Sequence, residues 1–266
     1  MHGSGPAKLR YECEIEHLPE RLRPLVVKLG PDDKTAEYLT RAERRRLSPL
    51  GMAVRRVLGY YLSDFDVDGL LNTYPTHLAS EAQWRQLLGR TDGGRLLDVG
   101  GGSGAVTAEL ARLFDEIHVT ETARVLTWRL KRRGFVAHLG DIADVPPPGA
   151  PYDAISLLNV IDRCRRPSAL LRAAIDALHP DGRLIVAIPM PYAPVAYDGP
   201  YVVEPIAPLI CAGNTWEAAV TSLVEQSLEP AGLAVEALAR VPYLAGGDAE
   251  RYMLVYDDAV IVCRRA

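Results

Sequence analysis

Three glycines in the segment LLDVGGGSGAV could hold a ligand against the protein backbone. Gly100, Gly102 and Gly104 follow an apolar run and precede a helical pattern. Glycine permits the backbone angles of a tight turn and lets a ligand approach the main chain closely. A loop of this kind is typical of nucleotide-binding sites, although a tight packing turn would also need glycine.

Acidic residues around this loop limit the kinds of ligand that it could bind. Glu121 lies 21 positions after Gly100, where a carboxylate can bind the hydroxyl groups of a ribose. Asp141 follows a third apolar run and could accept a hydrogen bond from an adenine amino group, although a helix cap explains it equally well. The residues predicted to bind a cofactor are Asp98, Gly100, Gly102, Gly104, Glu121, Thr122, Asp141 and Asn159.

The identity of the nucleotide depends on Asp98. Ala105 stands where dinucleotide-binding loops place a third glycine or alanine, so the spacing alone leaves NAD open. The carboxylate of Asp98 beside the loop would repel a pyrophosphate, whereas it suits a cationic ligand. We therefore predict S-adenosylmethionine, which carries a sulfonium and an amino group.

A second set of polar residues follows a later apolar run, in AISLLNVIDRCRRP (154–167). An amide and a carboxylate at the end of a buried strand could orient a substrate or handle a proton. Each also has a simpler interpretation: Asn159 could cap a turn, and Asp162 could form a surface ion pair with Arg163 or Arg165. Cys164 has no base spaced to activate it and is interpreted as a buried small residue.

The elements that carry these residues follow from the pattern of apolar positions. After residue 93, short apolar runs alternate with helical patterns, which is typical of a parallel sheet with crossover helices. Two strand-like segments, LAVEALARVPYL and DDAVIVCRR, come last, and we expect an α/β fold with a seven-stranded, doubly wound sheet. The strands are predicted at about 95–99, 116–120, 134–138, 152–158 and 183–189, and the helices at about 104–113, 123–132, 167–178 and 215–231.

Length and composition limit the classes of protein that fit. The chain has 266 residues, of which 48% are apolar, which suits a main domain at residues 63–266 with an N-terminal helical extension at residues 1–62. A net charge of −4 gives no basic surface for nucleic acid. No apolar stretch reaches the roughly 20 residues that cross a bilayer, and we expect no membrane span.

The cysteines and histidines show no metal-ligand spacing. The four cysteines lie far apart, which argues against a zinc site or a disulfide framework and favours a reducing compartment. The six histidines are also scattered. We therefore expect a monomeric, cytoplasmic protein without a metal ion.

From about Ser63 onward, about three quarters of the chain resembles the DREV methyltransferase family. The resemblance rests on LLDVGGGSGAVT, EIHVTE, YDAISLLNVIDRC, NTWE and RVPYLAGGD; of these, LNVIDRC and RVPYL are specific to the family rather than to the fold. The first 60 residues match poorly, and Ser103 stands where the family has a carboxylate. The resemblance implies a Rossmann-like class I fold, with S-adenosylmethionine as methyl donor and S-adenosylhomocysteine as product.

The animal members are protein-histidine N-pros-methyltransferases, and the resemblance implies catalytic roles for Asn159, Asp162 and Tyr243. An imidazole attacks a methyl group only through its unprotonated nitrogen, so the other nitrogen must carry the proton. Asp162 would accept a hydrogen bond from the tele N–H, directly or through a water. Asn159 would orient the ring, and the Tyr243 hydroxyl would close the pocket, although Tyr243 could equally be a core aromatic residue.

A histidine-containing protein or peptide with a His-x-His-like segment is the implied substrate. A small-molecule histidine derivative or another amine would suit the same residues, and a non-catalytic S-adenosylmethionine-binding scaffold is the alternative outside the enzyme class. Acidic residues near the expected mouth of the site would favour a neutral or basic segment: Asp64, Asp66, Asp68, Asp248 and Glu250.

Overall fold

The computed structural model describes residues 9–44, 49–58, 67, 71, 76–89, 93–198, 201–246 and 253–266. The predicted domain boundary between residues 62 and 63 lies outside these residues. The acidic residues expected near the mouth of the site, Asp64, Asp66, Asp68, Asp248 and Glu250, lie outside them too.

The strands of the described residues begin before the glycine loop and continue to the last described segment. They are β1 (Thr76–His77), β2 (Arg95–Val99), β3 (Glu116–Glu121), β4 (Val136–Leu139), β5 (Tyr152–Leu158), β6 (Leu178–Pro189), β7 (Ala196–Asp198), β8 (Tyr201–Val203), β9 (Leu233–Gly246) and β10 (Met253–Arg265).

The helices alternate with the central strands, as the sequence predicts. They are α1 (Asp33–Arg44), α2 (Pro49–Leu58), α3 (Glu81–Leu88), α4 (Ala105–Leu110), α5 (Arg124–Arg132), α6 (Pro167–Ala177) and α7 (Trp216–Leu223). The start of α3 shows how the sequence sets such a boundary. Ser80 and Gln83 form a reciprocal capping box there, and Gly89 ends the helix in the left-handed conformation.

The main sheet has eight strands in the order β1-β9-β10-β6-β5-β2-β3-β4, and β7 and β8 form a separate hairpin. The strands from β6 to β4 are parallel, whereas β10 is antiparallel to both β6 and β9. The predicted doubly wound α/β sheet is confirmed. Among the described residues, the eighth strand, β1, pairs only with β9. It contains two residues, which is too short for its sequence to show the two-residue period of a strand.

The strand order places a topological switch point between β2 and β5. The chain runs outward from β2 to β3 and β4, and then returns to the other side of β2 to form β5. A crevice opens between the carboxyl ends of two such strands, and ligands of doubly wound sheets bind there. Asp98 lies near the carboxyl end of β2 and Asn159 directly follows β5, so both predicted sets of polar residues lie at this crevice.

Alternate residues of the sheet supply two hydrophobic clusters, one on each face. Leu96 and Leu97 are neighbours on β2 and belong to different clusters, as the two-residue period of a strand requires. The N-terminal segment contributes to both clusters, with Leu18 in one and Tyr11 in the other. The Val27 N–H also donates to the Leu238 carbonyl oxygen at 2.8 Å, so residues 9–29 pack as part of the same core.

Several predicted boundaries differ from the structure. β6 begins at Leu178 rather than near residue 183, since the segment LHPDGR is part of the strand. Its Pro-Asp-Gly sequence is more typical of a turn. The helix predicted at 215–231 is α-helical only as far as Leu223, and a π-helical turn, Val224–Leu228, follows it. Antiparallel pairing with β9 extends β10 back to Met253. This residue precedes the predicted strand segment DDAVIVCRR.

Candidate active site

The glycine loop between β2 and α4 is fixed by backbone hydrogen bonds and close packing. The Gly100 N–H donates to the Thr120 carbonyl oxygen at 2.8 Å. A Cβ on Gly100, where φ is +71°, would lie 2.9 Å from Cγ2 of Val160, so this loop touches the loop after β5. A Cβ on Gly102 would meet only the Gly100 carbonyl oxygen, at 3.9 Å. The loop therefore presents bare backbone at Gly102.

Gly101, which the sequence did not single out, is the most tightly packed glycine of the loop. A Cβ there would lie 2.4 Å from Cγ1 of Val119 on β3. Gly104 also packs closely, since its Cβ would lie 2.8 Å from Leu130 of α5. Gly100, Gly101 and Gly104 are thus required by packing within the protein, and the G-x-G spacing alone did not separate them from Gly102, where the backbone is open.

Asp98 is buried in the sheet, and both of its carboxylate oxygens are hydrogen-bonded. Its two carboxylate oxygens accept hydrogen bonds from Thr107 Oγ1 at 2.5 Å and from Ser156 Oγ at 2.6 Å. Burial raises the pKa of Asp98 to about 6, and the two hydroxyl groups act in the opposite direction. These bonds join β2 to α4 and β5, so Asp98 holds the framework of the loop, whereas the sequence suggested direct contact with a cationic ligand.

Glu121 connects the two loops that border the crevice. Its Oε2 accepts a hydrogen bond from the Gly102 N–H at 2.9 Å, and its Oε1 accepts from the N–H groups of Thr122 at 2.7 Å and Ala123 at 3.1 Å. The side chain lies at the end of β3, next to β2. Glu121 and Gly102 are therefore brought together, as their spacing predicted, and Thr122 lies exposed beside them.

Asp141 lies in a turn after β4 rather than at a helix N-terminus. Its Oδ1 accepts a hydrogen bond from the Ala143 N–H at 2.8 Å, a local bond typical of aspartate in turns. Arg166 lies 3.4 Å from Oδ2 of Asp141 and 2.6 Å from Asp144. The carboxylate is one third exposed, so it can accept a further hydrogen bond from a ligand.

Asn159 is held by β6 and β10. It has a positive φ of 55°, a conformation that asparagine adopts more readily than most residues. Its N–H donates to the Ala187 carbonyl oxygen at 2.9 Å, and its Nδ2 donates to Oδ2 of Asp258 at 2.8 Å. The interpretation of Asn159 as the cap of a turn is not supported, since its side-chain oxygen accepts no hydrogen bond from the described residues and the next helix, α6, has Arg166 as its N-cap.

Asp258 is fully buried at the point where β10 lies beside β6. Burial raises the pKa of Asp258 well above its ordinary value, and the hydrogen bond from Asn159 acts in the opposite direction. Two buried oxygens of this pair, Oδ1 of Asn159 and Oδ1 of Asp258, have no hydrogen-bond partner among the described residues. The pair therefore keeps unused hydrogen-bonding capacity beside the crevice.

Asp162 forms an ion pair with Arg163, as one of the alternatives proposed. Nη2 of Arg163 lies 2.9 Å from Oδ2 of Asp162. The pair is not an ordinary surface contact, because the Asp162 side chain is only 12% exposed. Burial lowers the pKa of Arg163, but the charge and hydrogen bond of Asp162 together with the charges of Tyr243 and Asp258 outweigh it and raise the pKa above its ordinary value. The Asp162 carbonyl oxygen accepts from the Val195 N–H at 2.8 Å, which ties the loop to the segment before β7.

Tyr243 lies on β9 within the hydrophobic core, with its ring 6.0 Å from that of Tyr256. Burial raises the pKa of Tyr243 to about 12, so its hydroxyl stays protonated. The charge of Arg163 acts in the opposite direction on this hydroxyl, which places Tyr243 near the Asp162–Arg163 pair. Tyr243 is therefore a core aromatic residue that also borders the polar cluster.

Asp258 is the residue of this cluster that sequence reasoning missed. The sequence signal for Asp258 was a carboxylate at the start of the apolar strand DDAVIVC, where an unpaired charge would be costly. Cys164 has its pKa raised to about 12 by burial, which fits the interpretation of an unreactive thiol. No group of three potential metal ligands occurs among the described residues, and no helix in this part of the chain is long and apolar enough to cross a bilayer.

The crevice fits S-adenosylmethionine by the chemistry of its groups. Ribose hydroxyls and an adenine amino group are donors, and the carboxylates of Glu121 and Asp141 are acceptors at the ends of β3 and β4. The open backbone at Gly102 leaves room for a ligand to approach the loop. These groups are the ones we expect to hold the cofactor.

Comparison with known proteins gives curated relatives that match part of the chain. The protein-L-isoaspartate O-methyltransferase of Vibrio atlanticus is 32% identical over 114 residues, which cover 40% of this chain and 52% of that protein. The enzyme of the same name from Photobacterium profundum is 32% identical over 110 residues, which cover 39% and 50%. The chain thus spans about half the length of these relatives.

Solved structures similar to this chain include a TehB-like SAM-dependent methyltransferase from Corynebacterium glutamicum. It is 16% identical with a TM-score of 0.45, and the match covers 70% of this chain and 87% of that one. The DhpI–SAH complex is 14% identical with a TM-score of 0.47, and the match covers 68% and 81%.

A family model described as DREV methyltransferase matches residues 10–265. The match begins well before Ser63, so the expectation that the first 60 residues lie outside the family resemblance is wrong. The packing of residues 9–29 against both core clusters gives the physical reason, since these residues are part of the same folded unit. The chain belongs to the DREV methyltransferase family.

Proposed function

We propose that this enzyme transfers a methyl group to the pros nitrogen of histidine in a protein or peptide with a His-x-His-like segment. The observation that carries the proposal is the position of Asp162. Its carboxylate is only 12% exposed, belongs to the same loop after β5 as Asn159, and is close enough to Tyr243 for its charge to act on that hydroxyl. A carboxylate in this position can choose between the two nitrogens of an imidazole ring.

The tautomer of the ring decides which nitrogen is methylated. Only the unprotonated nitrogen has a free electron pair, and the proton must then be on the other one. A hydrogen bond from the tele N–H to Asp162 leaves the pros nitrogen free to attack. The same carboxylate stabilises the positive charge that the ring gains during the reaction.

Arg163 fixes the direction of this carboxylate. Its Nη2 contacts Oδ2 at 2.9 Å, whereas its Nε lies 3.4 Å from Oδ1. The stronger contact occupies Oδ2 and leaves Oδ1 better able to accept from a substrate. Tyr243 keeps its proton at neutral pH because burial raises its pKa to about 12, so its hydroxyl can donate a hydrogen bond on the buried side of the site.

S-adenosylmethionine supplies a methyl group that its sulfonium already activates. The protein therefore has to bind, orient and exclude water. Most of the rate increase is expected from holding the ring in line with the methyl group. Glu121, Asp141 and the glycine loop hold the donor on one side of the crevice, and Asn159 and Asp162 orient the acceptor from the end of β5.

The proposal is tested with isotope-labelled S-adenosylmethionine and a panel of His-x-His peptides beside free histidine. Each peptide has a matched version in which both histidines are replaced by alanine. Mass spectrometry measures the transfer, and the methylated nitrogen is assigned by comparison with pros- and tele-methylhistidine standards. We expect pros-methylation of the peptides. Tele-methylation, transfer only to free histidine or to a non-histidine amine, or no transfer at all would contradict the proposal.

A further inference from the structure

The backbone of Asn159 is placed with little freedom. It has a φ of 55°, its N–H is bonded to Ala187 of β6, and the next residue, Val160, packs against Gly100 of the cofactor loop. The residue itself is only 7% exposed. The remaining freedom of Asn159 lies in its side-chain amide, which can rotate so that its oxygen and its nitrogen exchange positions.

Asp258 removes that freedom. Oδ2 of Asp258 lies 2.8 Å from Nδ2 of Asn159. In this hydrogen bond Nδ2 of Asn159 is the donor, so the amide nitrogen faces Asp258 and the amide oxygen faces away. The oxygen that is turned away, Oδ1 of Asn159, is buried and has no partner within the described part of the chain.

A buried acceptor without a partner destabilises the folded protein, whereas a ligand with a suitable donor satisfies it. Two backbone N–H groups of this loop are used elsewhere: the N–H of Asn159 bonds to the Ala187 carbonyl oxygen, and that of Arg163 bonds to the Val160 carbonyl oxygen. Arg163 directs its guanidinium to Asp162. A donor of a bound molecule can therefore satisfy this oxygen.

We infer that Asp258 is a positioning residue for the acceptor, because it locks the amide of Asn159 so that Oδ1 accepts a hydrogen bond from an N–H of the substrate. This inference rests on the proposed function for the identity of that substrate, an imidazole with one protonated nitrogen. The neutral ring has a single N–H, so Oδ1 of Asn159 and the carboxylate of Asp162 share it as the two acceptors of one three-centre hydrogen bond. A ring that carries no N–H is therefore a poor acceptor.

The decisive variants are Asp258→Asn, Asn159→Asp and the two combined. An asparagine at 258 can donate to Oδ1 of Asn159, which occupies the acceptor and releases the lock. In the combined variant the pair is reversed: an amide at 258 donates to a carboxylate at 159, and an acceptor is again fixed there. Asp257→Asn is the matched control, since the Asp257 side chain pairs with Arg240 instead.

For Asp258→Asn we expect kcat on a His-x-His peptide to fall about tenfold to a hundredfold and the ratio of pros to tele product to fall with it. The combined variant should recover most of that ratio. Affinity for S-adenosylhomocysteine, measured by calorimetry, should stay within about twofold. Asp257→Asn should leave the product ratio unchanged, even if it lowers the melting temperature.

Three results would overturn the inference. The first is an Asp258→Asn enzyme with the wild-type product ratio and kcat, which would mean that Asp258 only supports the fold. The second is a loss of cofactor affinity that accounts for the whole effect, which would assign Asn159 to the methyl donor. The third is a combined variant with a product ratio no better than that of either single variant.

A further measurement keeps this inference separate from the proposed function. If the wild-type enzyme does not methylate histidine, the proposed function fails, and the locked amide is still testable by nuclear magnetic resonance. The side-chain amide protons of Asn159, identified by their loss in Asn159→Asp, should exchange slowly with solvent in the wild type and at least about tenfold faster in Asp258→Ala. Equal exchange rates would refute the lock whatever the substrate is.

Discussion

Two groups of polar side chains lie along the carboxyl edge of the sheet, one at the predicted cofactor site and one at the predicted acceptor site, and they differ in how many of their hydrogen-bonding atoms the chain satisfies. On the cofactor side, Asp98 accepts from two hydroxyl groups and Glu121 accepts from three backbone N–H groups. On the acceptor side, Asn159 and Asp258 each keep a buried oxygen without a partner in the described residues.

The difference separates two kinds of expected effect. Carboxylates that the chain itself satisfies hold loops in place, so their loss should change stability and cofactor affinity. Groups with unused hydrogen-bonding capacity are available to a substrate, so their loss should change rate and selectivity. Each of the following substitutions tests one side of this comparison.

The largest effect is expected for Asp162→Ala on the acceptor side. Removal of a group that orients the ring and stabilises its charge should lower turnover of a His-x-His peptide by about 10² to 10⁴-fold. Single-turnover kinetics measures the loss, and calorimetry with S-adenosylhomocysteine should show unchanged cofactor affinity. Asp181→Ala is the control, because this carboxylate is 96% exposed. An equal loss of cofactor affinity would place Asp162 among the structural carboxylates.

Asp98→Asn on the cofactor side should change the pH dependence of stability. The folded state raises the pKa of Asp98 to about 6 from 3.8, so the folded protein binds this proton more tightly than the unfolded chain. This group therefore destabilises the fold increasingly as the pH rises from about 4 to 6, by about 3 kcal/mol in all.

The asparagine variant lacks this titration. Urea unfolding at several pH values should show that the wild type loses stability relative to Asp98→Asn across this interval. Below about pH 4 and above about pH 6 the difference between the two proteins should be constant. A constant difference across the whole range would mean that Asp98 does not titrate in this interval.

Glu121→Ala should weaken cofactor binding about 10 to 100-fold, as expected for the loss of charge-assisted hydrogen bonds. Turnover at saturating S-adenosylmethionine should change by less than about threefold. Glu116→Ala, at the exposed start of the same strand, is the control and should leave the dissociation constant unchanged. If turnover fell while affinity stayed constant, Glu121 would belong with the acceptor-side residues.

The smallest effect is expected for Gly101→Ala, whose Cβ would lie 2.4 Å from Val119. Overpacking of this kind costs about 1 to 3 kcal/mol. Adding Val119→Ala should recover part of that loss, and thermal unfolding of the two single variants and the double variant measures the coupling. Strictly additive losses would contradict the contact between these residues.

Much of the fold could be predicted because its pattern is local. The bounds predicted for β2 and β5 match the structure, since each is an apolar run limited by polar residues or glycine. The start of β6 and the extent of β10 could not be predicted, because pairing with a neighbouring strand overrode the local turn and loop signals. The glycine loop could be predicted from the spacing of its glycines and from the position of Glu121.

The acceptor side was only partly predictable. Asn159 and Asp162 could be identified because they directly follow β5. Asp258 could not be paired with Asn159, because no local pattern reports a contact between residues 99 positions apart. The register of β10 against β6 creates that contact, and such a register is set by the packing of the whole sheet.

The same separation along the chain has a consequence for biosynthesis. A ribosome adds about 5 to 20 residues each second, so Asp258 is made roughly 5 to 20 s after Asn159. The segment from Asp98 to Asp141, which carries the cofactor-side contacts, is complete before either residue is made. A nascent chain can therefore assemble its donor side first, and it gains control over the acceptor only after β10 has joined the sheet.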